Sequence, residues 1–452
     1  MGRLTVQGAL RFDRAWSWFP EVTVGPTLFL ANAVTYPETQ GVRSYKDITP
    51  RLGTAMDLFG NGKTSLKVNL GKYLQAAQNG LSYGALRPTS RLTTTVTRTW
   101  ADVNGNFKPD CDLLNPAAQS AATGSIDTCA AISTLNFGKD VFTSDLDPAL
   151  RNGWGVRQGD WQFGVSVQQQ LLPRVSIEVG YNRRWWLNNE TVVDNVLNTA
   201  NDFGVFSITA PSDPRLPNGG GQVISGLYNI NPDVASLTNN VTTLAANYGG
   251  QSTVTNGMLL NISARPRNGL VFQGGMATGA TRNDQCAVRA QLPETESVGI
   301  PAVLQPFCNT STGFVTRYTG LGSYTLPKVD VLLSGTFRSD QGGQLAANLV
   351  VPNATIQPIL GRPLSLAAPN VTVNLVEPGT LYGDRVNEID LRLAKILKFG
   401  RTRTNVGFDI YNILNSAAVL SYNQSYSATG AWLVPTGVLQ PRFWKFSVQV
   451  DF

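Results

Sequence analysis

The sequence predicts an all-β protein, a transmembrane antiparallel up-and-down β-barrel, and three observations carry that prediction. Segments of about ten residues recur along the 452 positions with an apolar and a polar parity, the period of a strand with two different faces. Their connections alternate between tight turns and loops of roughly 20 to 80 residues, the asymmetry of a barrel that crosses an outer membrane. No stretch approaches the roughly 18 uncharged apolar residues of a membrane helix. Mean hydropathy of -0.08 and 42% hydrophobic residues suit such a barrel, in which only alternate side chains face lipid.

The first strand is Leu4 to Asp13, with Leu4, Val6, Leu10 and Phe12 opposite Thr5, Gln7 and Arg11. A loop rich in Pro and aromatics leads to a second strand, Ile48 to Phe59. Gly60-Asn61-Gly62-Lys63 then makes a hairpin turn, because Asn-Gly supplies the positive φ such turns need. The return strand, Ser65 to Leu74, sets Leu66, Val68 and Leu70 against Lys67 and Asn69. Alternation is lost from Gln75 to about Gly159, apart from a β-prone Thr93 to Thr99, and then resumes. Trp161, Phe163, Val165 and Val167 oppose Gln162, Ser166 and Gln168; after Leu172-Pro173, Val175, Ile177, Val179 and Tyr181 oppose Ser176, Glu178 and Asn182. Trp185 and Trp186 follow, where an aromatic girdle belongs.

A long loop from Asn188 precedes strands at Met258 to Arg265 and Leu270 to Gly279, around Pro266-Arg267-Asn268-Gly269. Phe314 to Tyr324 and Val329 to Phe337 flank Leu326-Pro327-Lys328. A Pro/Asn-rich excursion, β-prone at Val371 to Val376, reaches Tyr382. Ile389, Leu391 and Leu393 oppose Glu388, Asp390 and Arg392; Val406, Phe408 and Ile410 oppose Asn405, Asp409 and Tyr411. The last strand has Trp444, Phe446, Val448, Val450 and Phe452 on one parity and Lys445, Ser447, Gln449 and Asp451 on the other. A soluble sandwich strand has the same pattern; the wet charged side and the aromatic end favour the barrel. About twelve strands, five tight turns and six long loops are expected in all.

Composition excludes several chemistries. With no His there is no imidazole metal site, no Ser-His-Asp triad and no HExxH metalloprotease, so the chain is expected not to be an enzyme. The net charge of +6 is spread without a basic run, which leaves no nucleic-acid footprint. Cys111, Cys129, Cys286 and Cys308 form two sequence-local pairs without CxxC spacing. Four cysteines allow three connectivities; pairing Cys111 with Cys129 and Cys286 with Cys308 suits an oxidising compartment, and free thiols are the alternative.

Asp102, Asn104, Asn106, Asp110 and Asp112 space oxygen donors as a calcium loop does. Phe107 stands where an EF-hand needs Gly, and Leu113 where it needs Glu. Either Ca2+ in an extracellular loop or a solvated Asn/Asp turn accounts for the run, and no cofactor is required otherwise. The inward carboxylates Asp57, Glu178, Glu388, Asp390 and Asp409 share a face with Arg11, Arg51, Arg392 and Lys445. Cross-strand ion pairs along a hydrated lumen explain both sets without acid-base catalysis. Trp and Tyr near strand ends read as interfacial anchors, with sugar stacking as the alternative.

Four stretches resemble TonB-dependent outer-membrane receptors, in particular the Oar-like group with a carboxypeptidase-regulatory-like domain. They are Asp47-Ile-Thr-Pro-Arg-Leu-Gly through Asp57-Leu-Phe-Gly-Asn-Gly-Lys-Thr, Gly155 to Trp186, Glu388 to Asn415, and Gln440 to Phe452. The resemblance implies a barrel of about 22 strands around a plug, of which residues 1-452 are the C-terminal part. On that resemblance the plug, signal peptide and N-terminal strands are expected to lie outside residues 1-452. It further implies the outer membrane of a Gram-negative bacterium, with lipid, the barrel assembly machinery and TonB, the last reached through the plug, as partners. Trp444, Phe446, Val448, Val450 and Phe452 resemble the C-terminal insertion signal of such barrels. The implied function is energised uptake of a solute captured by the long loops, whether peptide, glycan or metal chelate. A surface adhesion barrel without energised transport is the alternative.

Overall fold

A computed structural model describes residues 2–30, 32–77, 84, 86–142, 144–193, 198–235, 237, 239–296 and 303–451, with backbone alone at 191–193. Twelve long strands make its frame. They are β1 (Leu4–Ala15), β2 (Ser44–Asp57), β3 (Thr64–Leu74), β4 (Gly159–Leu172), β5 (Val175–Leu187) and β6 (Ser252–Ala264). Then come β7 (Leu270–Asp284), β8 (Val315–Leu326), β9 (Val331–Asp340), β10 (Val386–Phe399), β11 (Thr402–Tyr411) and β12 (Phe443–Asp451). Each pairs antiparallel with its sequence neighbour, so the sheet is an up-and-down meander with β1 and β12 at its ends. The expected strands are all present, several of them longer at the loop end than alternation alone indicates.

The registers decide what each face presents. Residues directly opposite on paired strands point to the same side, so parity can be followed from strand to strand. Gly8 faces Leu52, Leu52 faces Leu70, Leu70 faces Phe163, and Val165 faces Tyr181. Tyr181 faces Met258, Leu260 faces Met276, and Met276 faces Tyr318. Tyr324 faces Leu333, Leu333 faces Leu393, Leu393 faces Phe408, and Phe408 faces Phe446. One apolar face therefore runs unbroken across the sheet, and its side chains are uncovered: Leu10 is 73% exposed, Val179 54% and Phe446 79%.

Trp185 and Trp186 do not share the girdle. Adjacent strand residues point to opposite faces, so Trp185 stands on the apolar face, stacked on Trp161 at 6.4 Å, while Trp186 stands on the polar face under Arg184. Phe452 lies outside the described residues.

At one end the strands join through tight turns. Asp57 caps the first of these, accepting from Gly60 N (3.0 Å) and Gly62 N (2.7 Å), and both glycines take positive φ, +72° and +71°. Asp57 thus serves the turn rather than a lumenal ion pair. At the other end the long loops carry structure that alternation did not predict. Residues 203–209 pair with 223–230, 348–352 with 370–374, and 419–422 with 435–438. Two short helices, α1 (Cys286–Gln291) and α2 (Asn353–Leu360), lie among them. The β-prone run at 371–376 is one of these strands; Thr93 to Thr99 is extended without joining a ladder, bonded to 130–139 at Thr97, Thr93 and Thr99.

Candidate ligand-capture face and loop cap

The polar face of the sheet carries cross-strand charge pairs, as expected for a wet surface. Arg317 of β8 meets Asp340 of β9 at 2.9 Å, Arg338 of β9 meets Glu388 of β10 at 2.6 Å, and Arg392 of β10 meets Asp409 of β11 at 3.2 Å. Asp409 in turn stands opposite Lys445 of β12. Asp390 accepts from Asn412 N at 2.9 Å, which ties the strand to the last loop. Arg11 binds Asp13 on its own strand, and Arg51 lies over the Tyr73 ring at 4.7 Å. Glu178 stands between Gln168 and Asn261 in register, above Lys67, which donates to Gln168 at 2.8 Å. This face therefore carries fixed charges of both signs paired between neighbouring strands.

Where this face meets the loops, burial rises. Asp13 and Asp47 stand opposite each other in register. Each has its own cation: Arg11 for Asp13, and Arg157, at 3.0 Å and buried like its partner, for Asp47. Tyr45, fully buried, donates its hydroxyl to the Leu150 carbonyl and packs with Val42, Leu146 and Leu150. Asp160 pairs with Arg184 at 2.8 Å. Sequence reading missed Arg157 because it lies outside any alternating run; a lone Arg among Gly and Gln gives no signal of burial.

Above lies a cap with a hydrophobic core of its own. Phe206, Leu227, Ile356, Val373 and Trp432, drawn from three different long loops, close into one cluster. Burying such side chains contributes about 1.5–3 kcal/mol each, enough to fix loops that lack a common sheet. Polar ties complete it. The Trp432 indole donates to the Ala346 carbonyl at 2.9 Å. Arg362, just past α2, donates to the carbonyls of Asn229 (2.9 Å) and Ile230 (3.1 Å) and to the Asn231 side chain (3.0 Å). Burial lowers the pKa of this guanidinium from its ordinary value.

Asp213 accepts from Arg215 and from the Tyr426 hydroxyl at 3.0 Å, joining segments 213 residues apart. The Arg215 side chain above all holds the Asp213 carboxyl well below the usual carboxylate range, while burial and then Asp213 push the Tyr426 hydroxyl up. Arg289 of α1 and Glu296 pair at 2.9 Å; burial lowers the first and raises the second.

Both sequence-local disulfides are present, Cys111–Cys129 and Cys286–Cys308, and each closes a loop above the sheet. Around the first, the five oxygen-bearing residues bond to the loop's own amides and to one another. Asp102 accepts from Gly105 N, Asn106 N and Phe107 N, the last at 2.7 Å. Asp110 accepts from the amides of Asn104 (2.6 Å) and Asn106 (2.7 Å), and Asp112 caps Leu114 N. Among the described residues no group of three or more Asp, Glu, Cys or His side chains gathers as a metal site. The organising group is one the sequence did not mark. Asp127, wholly buried, accepts from Asp110 N (2.8 Å), Trp100 Nε1 (2.9 Å) and Val103 N (2.9 Å), and those donors lower its pKa, the Asp110 amide foremost.

No family model and no curated protein match this chain. Among solved structures, the outer membrane transporter YddB from Escherichia coli aligns with 100% of this chain and 52% of its own, at 10% identity and a TM-score of 0.46. The FrpB iron transporter from Neisseria meningitidis (F3-3 variant) aligns with 99% of this chain and 43% of its own, at 10% identity and 0.43. For the copper transporter OprC the figures are 100%, 45%, 12% and 0.38. The chain spans about half the length of these proteins. Likenesses of this size carry no functional information.

Proposed function

We propose that this chain is barrel sequence of a Gram-negative outer-membrane receptor that captures a solute with its loop cap for energised, TonB-dependent uptake. The observation that carries the membrane reading is the single exposed apolar face, kept through every strand pairing from β1 to β12. In water a face of that extent drives association; in lipid it is the favoured surface, with the polar face toward a hydrated lumen. Strands of 9 to 15 residues, tilted, match the height of a bilayer core. The tight turns then lie on the periplasmic side, and the disulfide-bonded cap faces the outside.

Capture by the cap is supported by its folded core and by the charged polar face of the sheet; the TonB step is supported by the motif resemblance. A packed, doubly disulfide-bonded cap also favours a second reading, a surface adhesion barrel without energised transport.

An epitope at 121–124, an exposed segment of the first disulfide loop, tests the topology. It is expected to react with antibody on intact cells, and one in the turn at 61–62 only after permeabilisation. The reverse pattern refutes the orientation. Formaldehyde cross-linking to TonB in cells carrying the natural gene separates the readings, since adhesion needs no such contact.

A further inference from the structure

We propose that the arginines of two neighbouring tight turns form a binding site for the phosphate headgroup of an anionic phospholipid. Arg174 lies between β4 and β5, and Arg265 and Arg267 lie between β6 and β7. Because β5 pairs with β6, the two turns touch: Arg265 N–H donates to the Arg174 carbonyl at 2.8 Å. Three guanidiniums are thereby held on adjoining, exposed backbone. Like charges set side by side across a strand pair destabilise it, and among the described residues no carboxylate pairs with them. Among the described residues, their contacts are Arg174 with the Asn268 side chain (3.4 Å) and Arg267 over the Tyr324 ring (4.5 Å). The acids of nearby turns are engaged elsewhere, Asp57 by glycine amides and Asp330 by Lys398.

The backbone adds a second observation. Arg174 has φ +64°, a left-handed conformation that Gly or Asn adopts at lower cost. A long cation is kept where turn chemistry alone favours a small residue. Arg267, laid on an aromatic ring, presents its planar fork in a fixed orientation, the geometry that suits bidentate contact with phosphate oxygens.

What distinguishes a lipid from free phosphate is the apolar surface alongside. Leu172, 64% exposed beside Arg174, stands opposite Val175 on the apolar face, and Phe272, 48% exposed, lies on the same face near Arg267. A headgroup on the arginines puts its acyl chains against these residues. The remaining tight turns each carry a cation as well, Lys63, Lys328 and Arg401, so the whole rim is attractive to an anionic leaflet.

This inference rests on the membrane-spanning reading but not on uptake of any solute. Its test titrates the detergent-solubilised full chain with short-chain phosphatidylglycerol, matched phosphatidylcholine and inorganic phosphate, by calorimetry. Phosphatidylglycerol is expected to bind at least tenfold more tightly than phosphatidylcholine. The combined Arg174→Gln, Arg265→Gln and Arg267→Gln variant is expected to abolish that preference, while Lys328→Gln keeps most of it; circular dichroism confirms equal strand content. Equal affinity for the two lipids, or an unchanged preference in the triple variant, overturns the site. Displacement of phosphatidylglycerol by equimolar inorganic phosphate overturns the lipid assignment. A lost preference with the protein still folded only in detergent or lipid leaves the membrane reading intact; a protein soluble and monomeric without detergent sinks that reading instead.

Discussion

Substituting two adjacent residues of β2 separates a membrane face from an ordinary exposed surface. Leu52 is 49% exposed, lies five residues above the turn-end limit of its strand, and faces Gly8 and Leu70 on the apolar side. Gly53 is its neighbour on the polar side, and a Cβ there meets nothing within 4 Å. On a soluble protein Leu52→Arg changes stability by about 0.5 kcal/mol or less, as surface substitutions away from special features do. At the bilayer midplane the same change costs about 2–4 kcal/mol, a shift of about 30- to 900-fold in the folding equilibrium. Gly53→Arg places the same side chain in the hydrated trough and is expected to cost less than about 1 kcal/mol, mainly in strand geometry. The assay is urea unfolding of each variant in phospholipid vesicles and in water-soluble polymer, with the full natural chain. A penalty confined to Leu52→Arg and to lipid supports the assignment of faces. Equal effects at the two positions, or a neutral Leu52→Arg in lipid, refute it.

The loops supply further expectations. Replacing Cys111 and Cys129 by Ser removes a cross-link of sequence separation 18 and is expected to cost about 3 kcal/mol of local stability, read as faster proteolysis within 100–129 while the strands stay protected. Ile356→Ala, at a fully buried position of the cap core, is expected to cost about 2–5 kcal/mol and to raise hydrogen exchange in 203–230 and 348–374 together, because those segments share one cluster. Exchange that rises in α2 alone contradicts a single core. Asp213 has a depressed pKa, so its contribution is complete above the ordinary Asp value of about 3.9 and declines as pH falls below it. Exchange near 213–215 and 426–428, corrected for intrinsic rates, is expected to rise between about pH 4 and pH 2, and Asp213→Asn is expected to abolish that step.

Alternation is a local property, and it was enough to locate the twelve long strands of the sheet, though not the short ones at 152–154 and 309–311 that join it. A side chain's face is set by its parity, so Leu66, Val68 and Leu70 against Lys67 and Asn69 declare two environments without reference to any partner. The Arg392 and Asp409 pairing was legible for the same reason, as opposite charges on one face of consecutive strands. The local pairing of the four cysteines, one of three connectivities the sequence allowed, is the one that forms, and short loops close easily. Asp57 shows the limit of parity: it lies on the polar face, yet its partners are the amides of its own turn.

What the tertiary structure decided is the cap and the turn rim. Phe206, Ile356 and Trp432 come from three loops far apart in sequence, and no periodic pattern marks them because each element there is a few residues long. Asp127 and Arg157 are single charged residues in aperiodic polar stretches; only the chain brought back over them makes them buried centres. The three turn arginines are likewise unremarkable in sequence, 91 and 93 positions separating Arg174 from Arg265 and Arg267. The β5–β6 register puts them on one spot. Strand identity depends on neighbours two residues away, whereas loop packing depends on contacts whose closure the sheet itself has to provide first.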